Sequence, residues 1–270
     1  MKIIERTENG VPFLLSDGIA AAGGVAHGFS TRLGGVSEGM WSSLNLGVNR
    51  GDDPDHVREN YRRFLSAIGA KGDAITTCNQ VHGAVVRNVT SADIKRDPYE
   101  KLAFDADGLM TAIPGVTLAV LTADCIPVLL YDPRRRVIAA LHAGWRGTAA
   151  GIVTVAVGQM VSVYGTDPAD ILAAVGPGID PCCFETHEDV PNALTASMTG
   201  SALPFIQLKE NGKFSVDLKG VNAKRLELSG VDPDHIAVCG ECTSCLENKY
   251  WSHRRQGTQR GSMASMIQLL

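Results

Sequence analysis

The sequence predicts a mixed α+β sandwich, folded as one domain over 1–270, and not a doubly wound parallel sheet. Strand-like runs rich in Val, Leu and Ile follow one another directly in the middle third, without the intervening helices that parallel pairing requires. Helical patterns are few and irregularly spaced. The 270 residues are 44% hydrophobic and 20% charged, with no repeat or low-complexity stretch, so they supply one sizeable core.

Near the start, Ser30-Thr31-Arg32-Leu33-Gly34-Gly35-Val36-Ser37 reads as a Gly-rich loop. It lacks the Gly-Lys-Ser/Thr ending of a nucleotide P-loop. Asp53-Pro54 then opens a helix. Asp53 suits the N-cap, Pro54 the first turn, and Val57, Tyr61, Leu65 and Ile68 keep helical spacing. Strands are predicted over 84–89, 117–121, 127–131 and 137–141. Between them, 91–102 is charged, carries Pro98 and reads as a surface loop. A helix over about 149–164 is apolar nearly all round and so predicted to be buried. A strand over 171–175 is closed by Gly176-Pro177-Gly178. A helix over 217–228 stops at Gly230, a strand covers 236–239, and a basic tail loop follows.

Several function classes are excluded. A net charge of −4 argues against broad nucleic-acid binding. The apolar run over 115–130 is broken by Thr122, Asp124 and Pro127, so it is no membrane span. Met1-Lys2-Ile3-Ile4-Glu5-Arg6 has no signal-type apolar segment, which makes the cytoplasm the expected compartment. There a set of seven cysteines reads as buried thiols, metal ligands or a nucleophile rather than disulfides.

Three soft donors fall at strand ends: His82 before a strand, Cys125 between two strands, and His142 between a strand and a helix. Two imidazoles and a thiolate make a three-ligand zinc site with one open position, the pattern of a catalytic metal. The same residues also read as a Cys125–His142 nucleophile–base pair, oriented by Asp124 or Asn79. Gly144-Trp145-Arg146-Gly147-Thr148 lies at a helix start, where unpaired N–H groups and Arg146 suit an anion. Cys239-x-x-Cys242-x-x-Cys245 lacks the fourth ligand of a cluster motif and reads as thiols bordering the site, with a second metal as the lesser alternative. Cys182-Cys183 reads as buried small residues in a turn after Pro181.

Taken in order, Gly28 to Ser37, Leu44-Asn45-Leu46-Gly47, Gln80-Val81-His82-Gly83, Ala106 to Thr111, Thr122 to Pro127, Leu141 to Thr148, Gly176 to Glu185 and Tyr250 to Arg255 resemble the laccase-domain, or polyphenol oxidase, family of YfiH-like purine nucleoside phosphorylases. The resemblance implies a single-domain α-β-β-α layered sandwich with one zinc on His82, Cys125 and His142. It implies phosphorolysis of adenosine, guanosine, inosine and S-methyl-5′-thioadenosine, and deamination of adenosine. Purine nucleosides and phosphate are then the partners of a monomer or weak homo-oligomer. Catalytic roles are expected for Cys125, Asp124 and Arg146, and substrate contacts for Arg32, Asn45 and Gly147. Older naming by resemblance makes such chains copper-dependent phenol oxidases. Seven His without a His-x-His pair do not supply the several copper sites a laccase needs. A likeness in fold to Cys–His deamidase toxins keeps the nucleophile reading open. The tail departs from the family: Ser262 stands where an Arg is usual, and Arg260 is the nearest substitute.

Overall fold

A computed structural model describes residues 1–100 and 104–270. In chain order its strands are β1 (Ile3–Glu8), β2 (Val11–Ser16), β3 (Val25–Ser30), β4 (Ile75–Thr77), β5 (Val86–Asn88), β6 (Gly108–Thr111), β7 (Thr117–Thr122), β8 (Ile126–Asp132), β9 (Val137–Ala143), β10 (Leu172–Val175), β11 (Glu185–Thr186), β12 (Ile206–Leu208), β13 (Phe214–Val216), β14 (Ile236–Val238) and β15 (Met263–Leu269). The helices are α1 (Asp17–Ala22), α2 (Pro54–Ile68), α3 (Trp145–Ala149), α4 (Ile152–Tyr164), α5 (Asp189–Ser197), α6 (Leu218–Leu228) and α7 (His253–Gln256).

Two six-stranded mixed sheets form the middle of the molecule. One runs β1-β2-β3-β15-β7-β4, the other β14-β10-β8-β9-β6-β5. Leu14, Phe29, Leu118, Val120 and Ile267 of the first pack against Leu129, Tyr131, Ile138 and Ala140 of the second. α2 covers the outer face of the first sheet, on Ala26, Ala119, Ala264 and Met266. α4, α5 and α6 cover the outer face of the second, on Val128, Leu130, Ala139 and Leu141. The expected α-β-β-α layering is therefore observed. β8 and β9 are buried along their whole length, which is why they read as continuous apolar runs and not as alternation.

α2 is built as its sequence predicts. Asp53 accepts from Asp55 N at 2.8 Å, a cap that stabilises by about 1 kcal/mol, and Gly69 closes the helix at φ +77°. The long buried helix predicted over 149–164 is corrected twice. Gly151 at φ +80° divides it into α3 and α4, and Val161 and Val163 of α4 stand 40% and 51% exposed. The basic tail loop contains the short helix α7, capped by Ser252. The predicted surface loop over 91–102 begins with a 3-10 turn over Ser91–Asp93; its residues 101 and 102 lie outside the described residues. No helix among the described residues is long and apolar enough to cross a membrane.

Candidate active site

The two central sheets bring His82, Cys125 and His142 together. One donor atom of each lies within 4.8 Å of the others. His142 is not in a connection, as its sequence suggests, but is the second-to-last residue of β9, buried to 3% exposure. Cys125 occupies the tight turn between β7 and β8. The preceding residue, Asp124, takes φ +89° to make that turn. His82 is exposed in the segment after β4, at φ +63°. Its ring meets that of His142 edge-on, with centroids 4.9 Å apart.

One buried carboxylate organises both imidazoles. Asp107 Oδ1 accepts from His142 Nδ1 at 2.8 Å and from the backbone N–H of His82 at 2.9 Å. Its Oδ2 accepts the N–H groups of Val81 and Gly83 at 3.2 and 2.7 Å. Three successive N–H groups thus wrap an anion, a nest that accounts for the positive φ of His82. Because a carboxylate only accepts, a proton lies on His142 Nδ1, and Nε2 is the nitrogen a metal would take once the ring is neutral. Gln80 pins the same segment to β7, exchanging two 2.7 Å hydrogen bonds with the Leu121 backbone. Burial pushes Asp107 up, but the His142 and backbone hydrogen bonds outweigh it and hold the carboxyl below its usual range.

Burial likewise raises the Cys125 thiol, yet the charge of His142 and hydrogen bonds from both imidazoles bring it down to about 6. Burial lowers His142, and the Cys125 thiolate with Asp107 carries it up to about 9. Both shifts run in the direction that favours a thiolate–imidazolium ion pair. Space for an ion beside it depends on Gly144, where a Cβ would stand 3.0 Å from the His82 ring and 3.2 Å from Cys125 Sγ. Two nitrogens and one sulfur, oriented by a buried carboxylate, suit a borderline metal such as zinc.

The trio lines a cavity of about 690 Å³, a size that holds a small organic ligand. Arg50, Arg146, Arg254 and Arg260 also line it. Arg146 is exposed, its guanidinium stacks 4.2 Å from the Trp145 ring, and that guanidinium makes no hydrogen bond or ion pair among the described residues. Arg260 is 8% exposed. Its Nη1 donates to Gly261 O and Ser262 Oγ, and its Nε is buried without a partner. Burial and then Arg50 lower its guanidinium to about 10. Ser262 lines the same cavity, so the tail that departs from the usual pattern still brings a guanidinium to the site.

Residues 26–270 match the family described as multi-copper polyphenol oxidoreductase laccase. The chain belongs to this family. It is 40% identical over 263 residues to the purine nucleoside phosphorylase of Deinococcus radiodurans, covering 97% of this chain and 95% of that one. It is 38% identical over 253 residues to purine nucleoside phosphorylase YlmD of Geobacillus stearothermophilus, covering 91% and 90%. The crystal structure of the Bacillus licheniformis hypothetical protein YfiH superposes with a TM-score of 0.91 at 32% identity, covering 98% and 99%.

Within this laccase-family fold the remaining site residues predicted from sequence fall into two groups. Asp124 lines the cavity, but its carboxylate is occupied. It accepts from Thr243 Oγ1 at 2.7 Å, Ser252 Oγ at 3.0 Å and Arg254 N at 2.6 Å, and so ties the Cys125 turn to the tail. Arg32, Asn45 and Gly147 do not line the cavity. Arg32 donates to the carbonyls of Ser42 and Glu247 and stacks 3.8 Å from the Trp251 ring, so three of its five N–H donors are engaged inside the chain. Asn45 is fully buried, bonded to Asp52, Gly47 and Ser262. Gly147 lies against the His82 turn, where a Cβ would stand 2.6 Å from Gly83 O. Asp107 was not singled out by sequence, although Ala106-Asp107-Gly108 belongs to a family-like segment.

Proposed function

We propose that this protein is a zinc-dependent purine nucleoside phosphorylase with adenosine deaminase activity, the whole of 1–270 acting as one unit. Adenosine, inosine, guanosine and S-methyl-5′-thioadenosine are the proposed nucleosides. The observation that carries the reading is the joining of a His82–Cys125–His142 donor set and four arginines in one cavity. Relatives at 38 and 40% identity that are named purine nucleoside phosphorylase support it. His82, Cys125 and His142 would hold the zinc, which when bound supplies a Lewis acid with an open position.

In phosphorolysis a phosphate oxygen bonds to C1′ as the C1′–N9 bond breaks and the base leaves with a proton. Cationic charge grows on the sugar, and the anion must be held against it. Arg146 has unspent donors, and Arg260 has a buried one without a partner, so these two are suited to grip phosphate bidentately. Arg50 adds charge nearby. Deamination replaces phosphate by water, which bonds to C6 as ammonia leaves. Asp107 and Asp124, both engaged by hydrogen bonds, position ligands and loops in either reaction. Adenosine supplied with phosphate should give adenine and ribose 1-phosphate, and without phosphate, inosine. Chromatography showing neither product from metal-replete protein would refute the assignment.

The thiolate–imidazolium pair favours one second reading, a Cys–His hydrolase. Cys125→Asp separates the two, because a carboxylate ligates zinc but cannot act as a thiolate nucleophile. Retained metal and partial deamination support zinc. An inactive variant beside a metal-free, fully active wild type supports the nucleophile.

A further inference from the structure

We propose that Cys182, Cys183, Cys242 and Cys245 bind a second metal, a structural zinc held by four thiolates, outside the cavity. Their sulfurs all lie within 4.8 Å of one another. Cys182 and Cys183 are 3.8 Å apart, Cys182 and Cys245 3.5 Å, and Cys183 and Cys245 3.4 Å. Four sulfurs around a tetrahedral zinc at ~2.3 Å stand about 3.8 Å from each other. All seven cysteines are free thiols, so no disulfide competes for these sulfurs.

The sequence obscures this set. Cys239 opens the Cys-x-x-Cys-x-x-Cys run, yet it is buried at 3% exposure in the core between the two central sheets. The missing ligands come from 60 residues upstream in the adjacent pair. Cys182 is exposed and Cys183 half-buried, which corrects their reading as buried filler. None of the four cysteines lines the active cavity.

The surroundings suit a tetrathiolate. Asp180 N donates to Cys242 Sγ at 3.4 Å. Such N–H···S bonds orient a thiolate ligand and offset its charge. Two cations from neighbouring helices, Lys219 of α6 and Arg254 of α7, bind the backbone of these loops. Buried Lys219 joins Asp180 to the carbonyls of Cys239 and Glu241, and Arg254 Nη1 donates to Cys183 O. A four-ligand site has no open position, so its role is to hold structure. What it would hold is one wall of the active cavity. Phe184 follows Cys183 and lines the cavity, while Thr243 follows Cys242 and donates to Asp124.

Metal content of the full-length protein, purified with reductant and zinc, tests this. The wild type should carry two zinc per chain, and Cys182→Ser and Cys245→Ser one each. His142→Ala should also carry one, in the cysteine site. Cobalt loading gives the second readout. The thiolate-to-cobalt charge-transfer band should persist nearly whole in His142→Ala and fall several-fold in Cys245→Ser. If the serine variants do not fold, the wild type still decides: with zinc bound, Cys182 and Cys245 should resist alkylation despite their exposure, and chelation should unmask them. A metal-free His142→Ala protein, free alkylation of both thiols in zinc-loaded wild type, or a Cys182–Cys245 or Cys183–Cys245 disulfide in the reduced preparation would each overturn the proposal.

Discussion

Asp107 holds His142 by a 2.8 Å hydrogen bond to Nδ1 and gathers the His82 turn with the same carboxylate. Two ligands that lie sixty residues apart in sequence are thereby oriented by one buried charge. Asp107→Asn keeps the shape but halves the acceptor capacity and places an NH₂ where N–H groups converge. Metal affinity, measured by competition with a chelator, should fall ten- to a hundredfold while secondary structure is retained. Unchanged affinity would mean that packing alone orients His142.

The Cys125–His142 ion pair sets the pH dependence of metal uptake. In the metal-free site the thiol at about 6 is ionised at neutral pH, and the imidazole at about 9 is protonated. A metal needs the thiolate and a neutral imidazole, so His142 must lose its proton. Zinc binding at pH 7.5 should release about one proton from this pair, read by calorimetry in buffers of different ionisation enthalpy. Affinity should rise about tenfold per pH unit from 7 to 9 and flatten above 9, as His142 becomes neutral unaided. A flat profile from 7 to 9 would show that His142 enters already neutral.

Arg146→Ala and Arg260→Met should impair phosphorolysis more than deamination, because only phosphorolysis must grip an anion. Losing a charge-assisted contact should raise the KM for phosphate ten- to a hundredfold. Arg260→Met removes the unpartnered Nε but also the Nη1 bonds to Gly261 O and Ser262 Oγ, so its thermal stability should change little or fall slightly. Equal losses in both reactions would place the arginines on the nucleoside or on the fold.

Gly147→Ala should damage the site through the backbone. The new Cβ would stand 2.6 Å from Gly83 O, with no flexible side chain to yield. A destabilisation of about 1–3 kcal/mol by denaturant unfolding is expected, with weaker metal binding as the His82 turn is pushed aside. Gly158→Ala, in α4 with nothing within 4 Å, is the control and should be neutral or slightly stabilising.

The metal trio was legible in the sequence because strand ends converge, and β4, β7 and β9 lie in the two facing sheets. Asp107 was not, since an acceptor of backbone N–H groups carries no spacing signature. Arg32 and Arg146 look alike in sequence as guanidiniums beside glycines, yet one meets carbonyls and the other faces solvent. The four cysteines escaped because half the set comes from a separate loop. β15 was missed for a different reason. Ser265 and Gln268 interrupt its apolar pattern, and both are buried. Gln268 is satisfied by Lys71, Gly115 and Thr117, an arrangement no local pattern reveals.

β15 pairs with β3 on one side and β7 on the other, so the last strand in chain order sits in the middle of its sheet. During synthesis the β1–β3 meander and the β7–β4 pair are made long before the strand that joins them. Until residues 263–269 emerge, both carry an open hydrogen-bonding edge, and α2 has only part of the surface it covers. Such an intermediate invites pairing between nascent chains. Closure of contacts more than two hundred residues apart makes folding slow and late. The cavity shares this timing, because Arg260 and Ser262 lie just upstream of the closing strand. A ribosome-bound chain lacking those residues would hold the donor trio without the buried arginine.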